Sequence, residues 1–171
     1  MLKNKQTNCL NFEHTVFLPE HFTEYLLNKN GFRILGKQYY GDPHSIFYAT
    51  EKSKNPLPAA ALTNKYDEYK AMFMDFVHYH IEMIKDLNQK IQSSPHPTFL
   101  FGAHIFSQFL IQFGLQIDKI LGILDNSPLK QKKRLYGTRF IVESPKILKG
   151  KGRVNIILKA GIYNEEIKKD I

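Results

Sequence analysis

The chain has 171 residues, enough for one ordinary domain, or for a small domain and part of another. Hydrophobic residues make up 43% and aromatic residues 13%, which excludes a disordered chain and points to a core rich in rings, with 13 Phe, 9 Tyr and no Trp. The one cysteine, Cys9, excludes an internal disulfide and a cysteine-based metal site, while a net charge of +8 keeps anionic partners in view.

Met1 to Thr7 is polar and aperiodic. In Asn11-Phe12-Glu13-His14 a carboxylate and an imidazole are adjacent and bracketed by apolar residues. Such a pair can move protons near neutral pH, because the carboxylate orients or charges the ring. A loop that satisfies its own backbone would show the same residues, so both readings stand. Pro19 to Lys29 reads as a helix opened by proline, with Phe22, Tyr25 and Leu26 inward and Asn30-Gly31 as its exit. Phe32 to Tyr40 and Ser45 to Thr50 read as strands of an antiparallel hairpin around the turn Gly41-Asp42-Pro43-His44. A helix followed by a hairpin looks like the end of a domain. These early strands are expected to stand apart from the sheet that follows.

Glu51 to Thr63 has the composition of a linker. Asn64, with Asp67 three residues on, is the expected cap of a long helix reaching about Gln92. Its apolar stripe, Tyr69, Phe73, Phe76, His80, Ile84, Leu87 and Ile91, steps by three or four throughout. At ~1.5 Å per residue it would span roughly 43 Å. His78 and His80 lie two apart and so point to different faces, which makes packing the better reading than metal.

Pro97 to Asp125 organises the remainder. Thr98 to Phe101 is an apolar strand broken by Gly102, and Phe106, Phe109, Leu110 and Phe113 then fall on one helical face that Gly114 can end. Ile120 to Leu124 is a second strand, closed by Asp125-Asn126-Ser127-Pro128. This is a βαβ unit with parallel strands. A dinucleotide site wants Gly-x-Gly-x-x-Gly at the turn. Gly102-Ala103-His104-Ile105-Phe106-Ser107 keeps only the first glycine, and His104 puts a ring where a phosphate needs bare backbone. Asp125 stands where an acidic residue would meet a ribose. A structural unit in which Asp125 makes a turn is preferred to an NAD site. Tyr136 to Val142 is then expected to contain a strand, Ser144-Pro145 to start a helical turn, Val154 to Leu158 to form a strand and Tyr163 to Ile171 a helix. The fold class is therefore α/β: a small Rossmann-like doubly wound parallel sheet, preceded by a long linker helix and a helix–hairpin element. The expected division is 1–55, 56–96 and 97–171.

Two basic clusters, Lys130 to Arg134 and Lys146 to Arg153, lack the interleaved aromatic residues of a base-stacking surface. Solvated loops explain them best, a rim that draws in a diphosphate comes second, and nucleic acid third. No apolar run approaches the ~18 residues of a membrane span, so no membrane partner and a cytoplasmic protein are expected.

These residues carry a family likeness. Asn11-Phe12-Glu13-His14, Gly31-Phe32 and His44-Ser45-Ile46-Phe47-Tyr48 resemble the closing third of an S-adenosylmethionine-dependent methyltransferase domain. Phe101-Gly102-Ala103, the run Ile123-Leu124-Asp125-Asn126-Ser127-Pro128-Leu129-Lys130-Gln131, and Ser144-Pro145 are similar to the C-terminal domain of the sugar C-methyltransferases. The likeness covers nearly the whole chain. In that family a methyl group goes from S-adenosylmethionine to a carbon beside a ketone on a nucleotide-linked sugar. The resemblance implies that Glu13 and His14 line the active site, with His14 taking the proton from that carbon. It also implies a C-terminal domain that helps hold the nucleotide-sugar, which makes Gly102, Ala103, His104, Asp125 and Asn126, together with Asn11, substrate-binding candidates. The family tends to have a tyrosine where Asn11 stands. Its acidic Gly-x-Gly cofactor loop has no counterpart here. The chain is therefore expected to be the C-terminal portion of a longer enzyme, inactive alone and without tight S-adenosylmethionine binding. The alternative is a non-catalytic Rossmann-like module for nucleotide-sugar binding or assembly. Apolar faces left open between Leu10 and Thr50 lead to the expectation of a homodimer.

Overall fold

The computed structural model describes residues 2–7, 16, 18–41, 45–54, 61–159 and 164–171. The chain divides into two compact units, Met1–Met74 and Asp75–Ile171.

In the first unit, α1 (Glu20–Lys29) begins after Pro19, whose extended backbone (φ −68°, ψ 154°) and missing N–H suit the position before a helix. Gly31 (φ 78°) then turns the chain into β1 (Phe32–Tyr40), which pairs antiparallel with β2 (Ser45–Lys52). The two strands form a sheet of their own, as expected. Opposite partners share a face, so Lys37 and Tyr48, and Tyr39 and Ile46, lie together. From that face Lys37 bonds Glu24 at 2.8 Å, and also Glu20, while the Tyr39 hydroxyl donates to Glu20 at 2.7 Å. Polar ties therefore seat α1 on the hairpin. No α1 residue is buried, and Phe22, Tyr25 and Leu26 reach only half-burial, because a two-stranded sheet is too narrow to cover a helix. Leu35, Tyr40 and Phe47 are exposed. The expected turn at 42–44 lies outside the described residues.

The long helix α2 (Tyr66–Ser93, 28 residues) starts where the Asn64 side chain accepts the Tyr66 N–H at 2.9 Å. Its portion 75–93 belongs to the second unit and buries Phe76, His80, Ile84 and Ile91. His80 is a packing residue, with ring centroids 4.3 Å from Phe76 and 4.8 Å from Phe109 and Nδ1 2.9 Å from the Phe76 carbonyl.

The second unit is built on β3 (Thr98–Phe101), α3 (Ile105–Gln112), β4 (Ile120–Leu124), β5 (Val142–Glu143), β6 (Asn155–Ile157) and α4 (Asn164–Asp170). All four strands are parallel, in the order β5-β4-β3-β6. This is the Rossmann-like α/β fold expected. β3 is buried at each of its positions because it is central and covered on both faces. Leu100, Ile123, Val142 and Ile157 pack with Ile84 and Ile91 of α2 and with Phe106 and Leu110 of α3. Phe99, Phe101, Leu124 and Ile156 pack on the other face with Ile167 of α4 and with Ile147 and Leu148. Alternation along each strand thus produces two cores.

The short strand expected within Tyr136 to Val142 falls at the end of that run, at Val142–Glu143, because Gly137 (φ 74°) and the Thr138 N–H bonded to the Leu135 carbonyl close a tight turn before it. Two residues expected on apolar helix faces are corrected. Phe73, on the stripe expected for α2, is 41% exposed. Phe113, expected on the buried face of α3, is its 41% exposed C-cap and stacks on Phe109 at 4.2 Å. Among the described residues no helix is long and apolar enough to cross a membrane.

Candidate functional site

β3 and β6 are neighbours, but the chain leaves them for opposite faces. β3 leads into α3 on the side of Leu100, and β6 is followed by α4, whose Ile167 packs on the side of Phe99. Where adjacent parallel strands diverge in this way, a crevice opens beyond their carboxyl ends. The sequence candidates Gly102, Ala103, His104, Asp125 and Asn126 gather at that edge. Asn11, Glu13 and His14 lie outside the described residues.

Gly102 needs to be glycine twice over. Its φ of 102° is strained for any side chain, and a Cβ there would sit 2.4 Å from His104 Nε2. The imidazole is thus laid directly against the Gly102 α-carbon. His104 caps α3 from an extended backbone, with Nδ1 accepting the Phe106 N–H at 3.1 Å, so the neutral ring carries its proton on Nε2. Burial holds this histidine below the usual imidazole range, helped by repulsion from Lys130 and opposed by Asp125.

Asp125 is the hub. Its carboxylate accepts the Ala103 N–H and the Ser127 N–H, both at 2.8 Å, and pairs with Lys130 Nζ at 3.0 Å. Gln131 donates to its backbone carbonyl at 2.9 Å. Burial acts to raise the carboxyl, but the Ser127 N–H, the Lys130 ammonium and the Ala103 N–H outweigh it and hold it below the ordinary aspartate range. With its side chain only 9% exposed, Asp125 links the end of β4 to the turn after β3.

The partners of five N–H donors in the turn bear on what the site can do. Gly102 N–H goes to the Leu124 carbonyl (2.7 Å), Ala103 N–H to Asp125, His104 N–H to the Gly102 carbonyl (2.9 Å), Phe106 N–H to His104, and Ser107 N–H to the His104 carbonyl (3.1 Å). Ser107 Oγ also donates to the Gly102 carbonyl. Among the donors a glycine-rich turn would offer a pyrophosphate, the N–H groups of Gly102, Ala103, His104, Phe106 and Ser107 are engaged within the protein. The sequence reading foresaw the ring as an obstruction. It did not foresee that the ring replaces the phosphate as the partner of the helix start. Lys130 and Gln131, expected only as part of a basic cluster and of the run after Asp125, lie five and six positions beyond that aspartate in a turn signal, a spacing that could have flagged them.

One further cation was passed over. Lys159, which closes the apolar run Val154 to Leu158, is half-buried with Nζ 5.3 Å from the Tyr79 ring centroid and 5.6 Å from that of Phe106. Burial lowers its pKa. Among the described residues no group of three or more His, Cys, Asp or Glu is placed to hold a metal ion. No protein-family model matches the chain, and no curated protein matches it.

Proposed function

We propose that the chain forms the part of an S-adenosylmethionine-dependent methyltransferase that spans the end of the methyltransferase domain and the domain after it. In this reading the second unit holds a nucleotide-linked sugar at the carboxyl edge of its sheet. The observation that carries the proposal is the departure of the chain from neighbouring β3 and β6 to opposite faces of the sheet, the topology at which parallel sheets take nucleotides. The separate sheet of β1 and β2 supports it too, as the end of a different domain. S-adenosylmethionine supplies the methyl group, and we assign no residue of this chain to it. His14, oriented by Glu13, removes the proton from the carbon beside the sugar ketone. A homodimer joined through the exposed Leu35, Tyr40 and Phe47 belongs to the same proposal.

Calorimetric titration tests this reading. Saturable binding of a nucleoside diphosphate with little S-adenosylmethionine binding is expected, and the reverse pattern would contradict it. The second reading, a binding or assembly module without chemistry, is favoured by the internally engaged Gly102 turn. The two part over proton exchange. A nucleotide-linked ketosugar incubated with the chain in heavy water should exchange its ketone-adjacent hydrogen, and His14→Ala should stop it. Binding without exchange supports the module.

A further inference from the structure

The basic cluster Lys130 to Arg134 is not uniform. Lys130 and Lys132 are paired with Asp125 and Glu143, whereas among the described residues no ion pair or hydrogen bond engages the Arg134 guanidinium. Arg134 lines a pocket of about 390 Å³ together with Arg139, Thr138, Ile111, Ile117 and Phe140. That volume is in the range of small-molecule sites. The pocket lies beside the amino end of β4, which Ile117 precedes, whereas Asp125 follows the carboxyl end of that strand. Its apolar lining is anchored in the core, since Phe140 is buried there and Ile111 and Ile117 pack against the same cluster. The loop that carries Arg139 is held in shape by the Thr138 hydroxyl, which donates to the Leu135 carbonyl at 2.9 Å and accepts the Phe140 N–H at 3.2 Å. The Arg139 guanidinium lies 5.6 Å from the Phe140 ring centroid and bonds Asp118 at 3.3 Å. The Asp118 side chain is 91% exposed, and an ion pair so open to water is weak and readily exchanged.

Two guanidinium groups beside an apolar pocket suit an anion that carries an apolar body. One carboxylate would balance only one of them. A phosphate monoester carries nearly two charges near neutral pH and offers three oxygens, enough for both forks. We infer that this pocket binds a small phosphate monoester, with Arg134 and Arg139 on the phosphate and Ile111, Ile117 and Phe140 against the organic group. The site is separate from the carboxyl edge of the sheet and does not depend on the nucleotide-sugar reading.

The test is calorimetric titration of the full chain with phenyl phosphate, inorganic phosphate, benzoate and phenol. Phenyl phosphate should bind at one site, at least about tenfold more tightly than each of the other three. Arg134→Gln and Arg139→Gln change exposed side chains, so the fold should survive, which circular dichroism checks. Each should weaken phenyl phosphate about tenfold. Lys132→Gln, in the same basic cluster but outside the pocket lining, should change its affinity less than about twofold. Absence of saturable phenyl phosphate binding overturns the assignment, as does unchanged affinity in either arginine variant. A loss in Lys132→Gln equal to theirs also overturns it, because diffuse charge would then explain the binding. Benzoate binding as tightly as phenyl phosphate removes the argument from two charges, and inorganic phosphate doing so removes the apolar contact. A phosphotyrosine peptide that binds more tightly than phenyl phosphate would give the pocket to a phosphorylated protein and overturn the small-molecule ligand.

Discussion

Asp125→Ala is the most informative single change, because three groups from three positions converge on one carboxylate. Removing it strands the Ala103 and Ser127 N–H donors and releases Lys130. Each stranded donor costs about 1–3 kcal/mol, and in a turn that water can partly reach the lower end applies, giving about 2–3 kcal/mol together. Amide hydrogen exchange read at Ala103 and Ser127 should then speed up by about 30–150-fold, if the turn opens locally. Asp125→Asn keeps one oxygen but turns an NH2 toward a donor, so it should fall only slightly short of alanine. The carboxyl titrates below the 3.8 of an unperturbed aspartate, so the advantage of wild type over Asp125→Asn should be full above that pH and shrink as pH falls through the folded value. Exchange at Ala103 and Ser127 that stays at the wild-type rate in Asp125→Ala would refute the reasoning.

Gly102→Ala should lower stability by about 2–3 kcal/mol, read as a drop in thermal midpoint. Combining it with His104→Ala should cost less than the sum, since the ring that the new methyl would strike is gone. His104→Ala alone should cost about 1 kcal/mol as a lost cap. Because the folded histidine titrates below 6.5, the wild-type advantage is full above that pH and fades as pH falls through the folded value, which urea titrations across pH will show. Leu100→Ala, at a fully buried position of the central strand, should cost about 3–5 kcal/mol in denaturant melts. Phe47→Asp should convert the proposed dimer to monomer in sedimentation, and a wild-type monomer would remove that part of the proposal.

Much of the second unit was legible because burial on both faces leaves a plain mark. Thr98 to Phe101 and Ile120 to Leu124 are continuous apolar runs, and the step-by-three-or-four stripe of α2 predicted its buried residues Phe76, His80, Ile84 and Ile91. Within Tyr136 to Val142 the position of the short strand was not legible, because β-forming side chains at Tyr136 to Phe140 serve a turn set by Gly137 and local composition does not say which influence prevails. At the site, the turn that lacks the later glycines has its Ala103 and Phe106 N–H groups bonded to side chains of the protein itself. The ring of His104 folding back over Gly102, and the convergence of Ala103, Ser127 and Lys130 on Asp125, were hidden because they depend on how two strand ends come into register.

The placement of β6 bears on the order in which the second unit assembles. Ala103 and Asp125, which tie β3 to β4, are 22 positions apart, whereas Asn155 must return over 57 positions to reach Thr98. Closing the longer loop comes at greater entropic expense, so the β3–β4 pair should zip first and β6 dock late. Until it does, the β6 side of the sheet's carboxyl edge is not in position. On the proposed reading, a ligand held there would draw the equilibrium toward chains whose final strand has arrived.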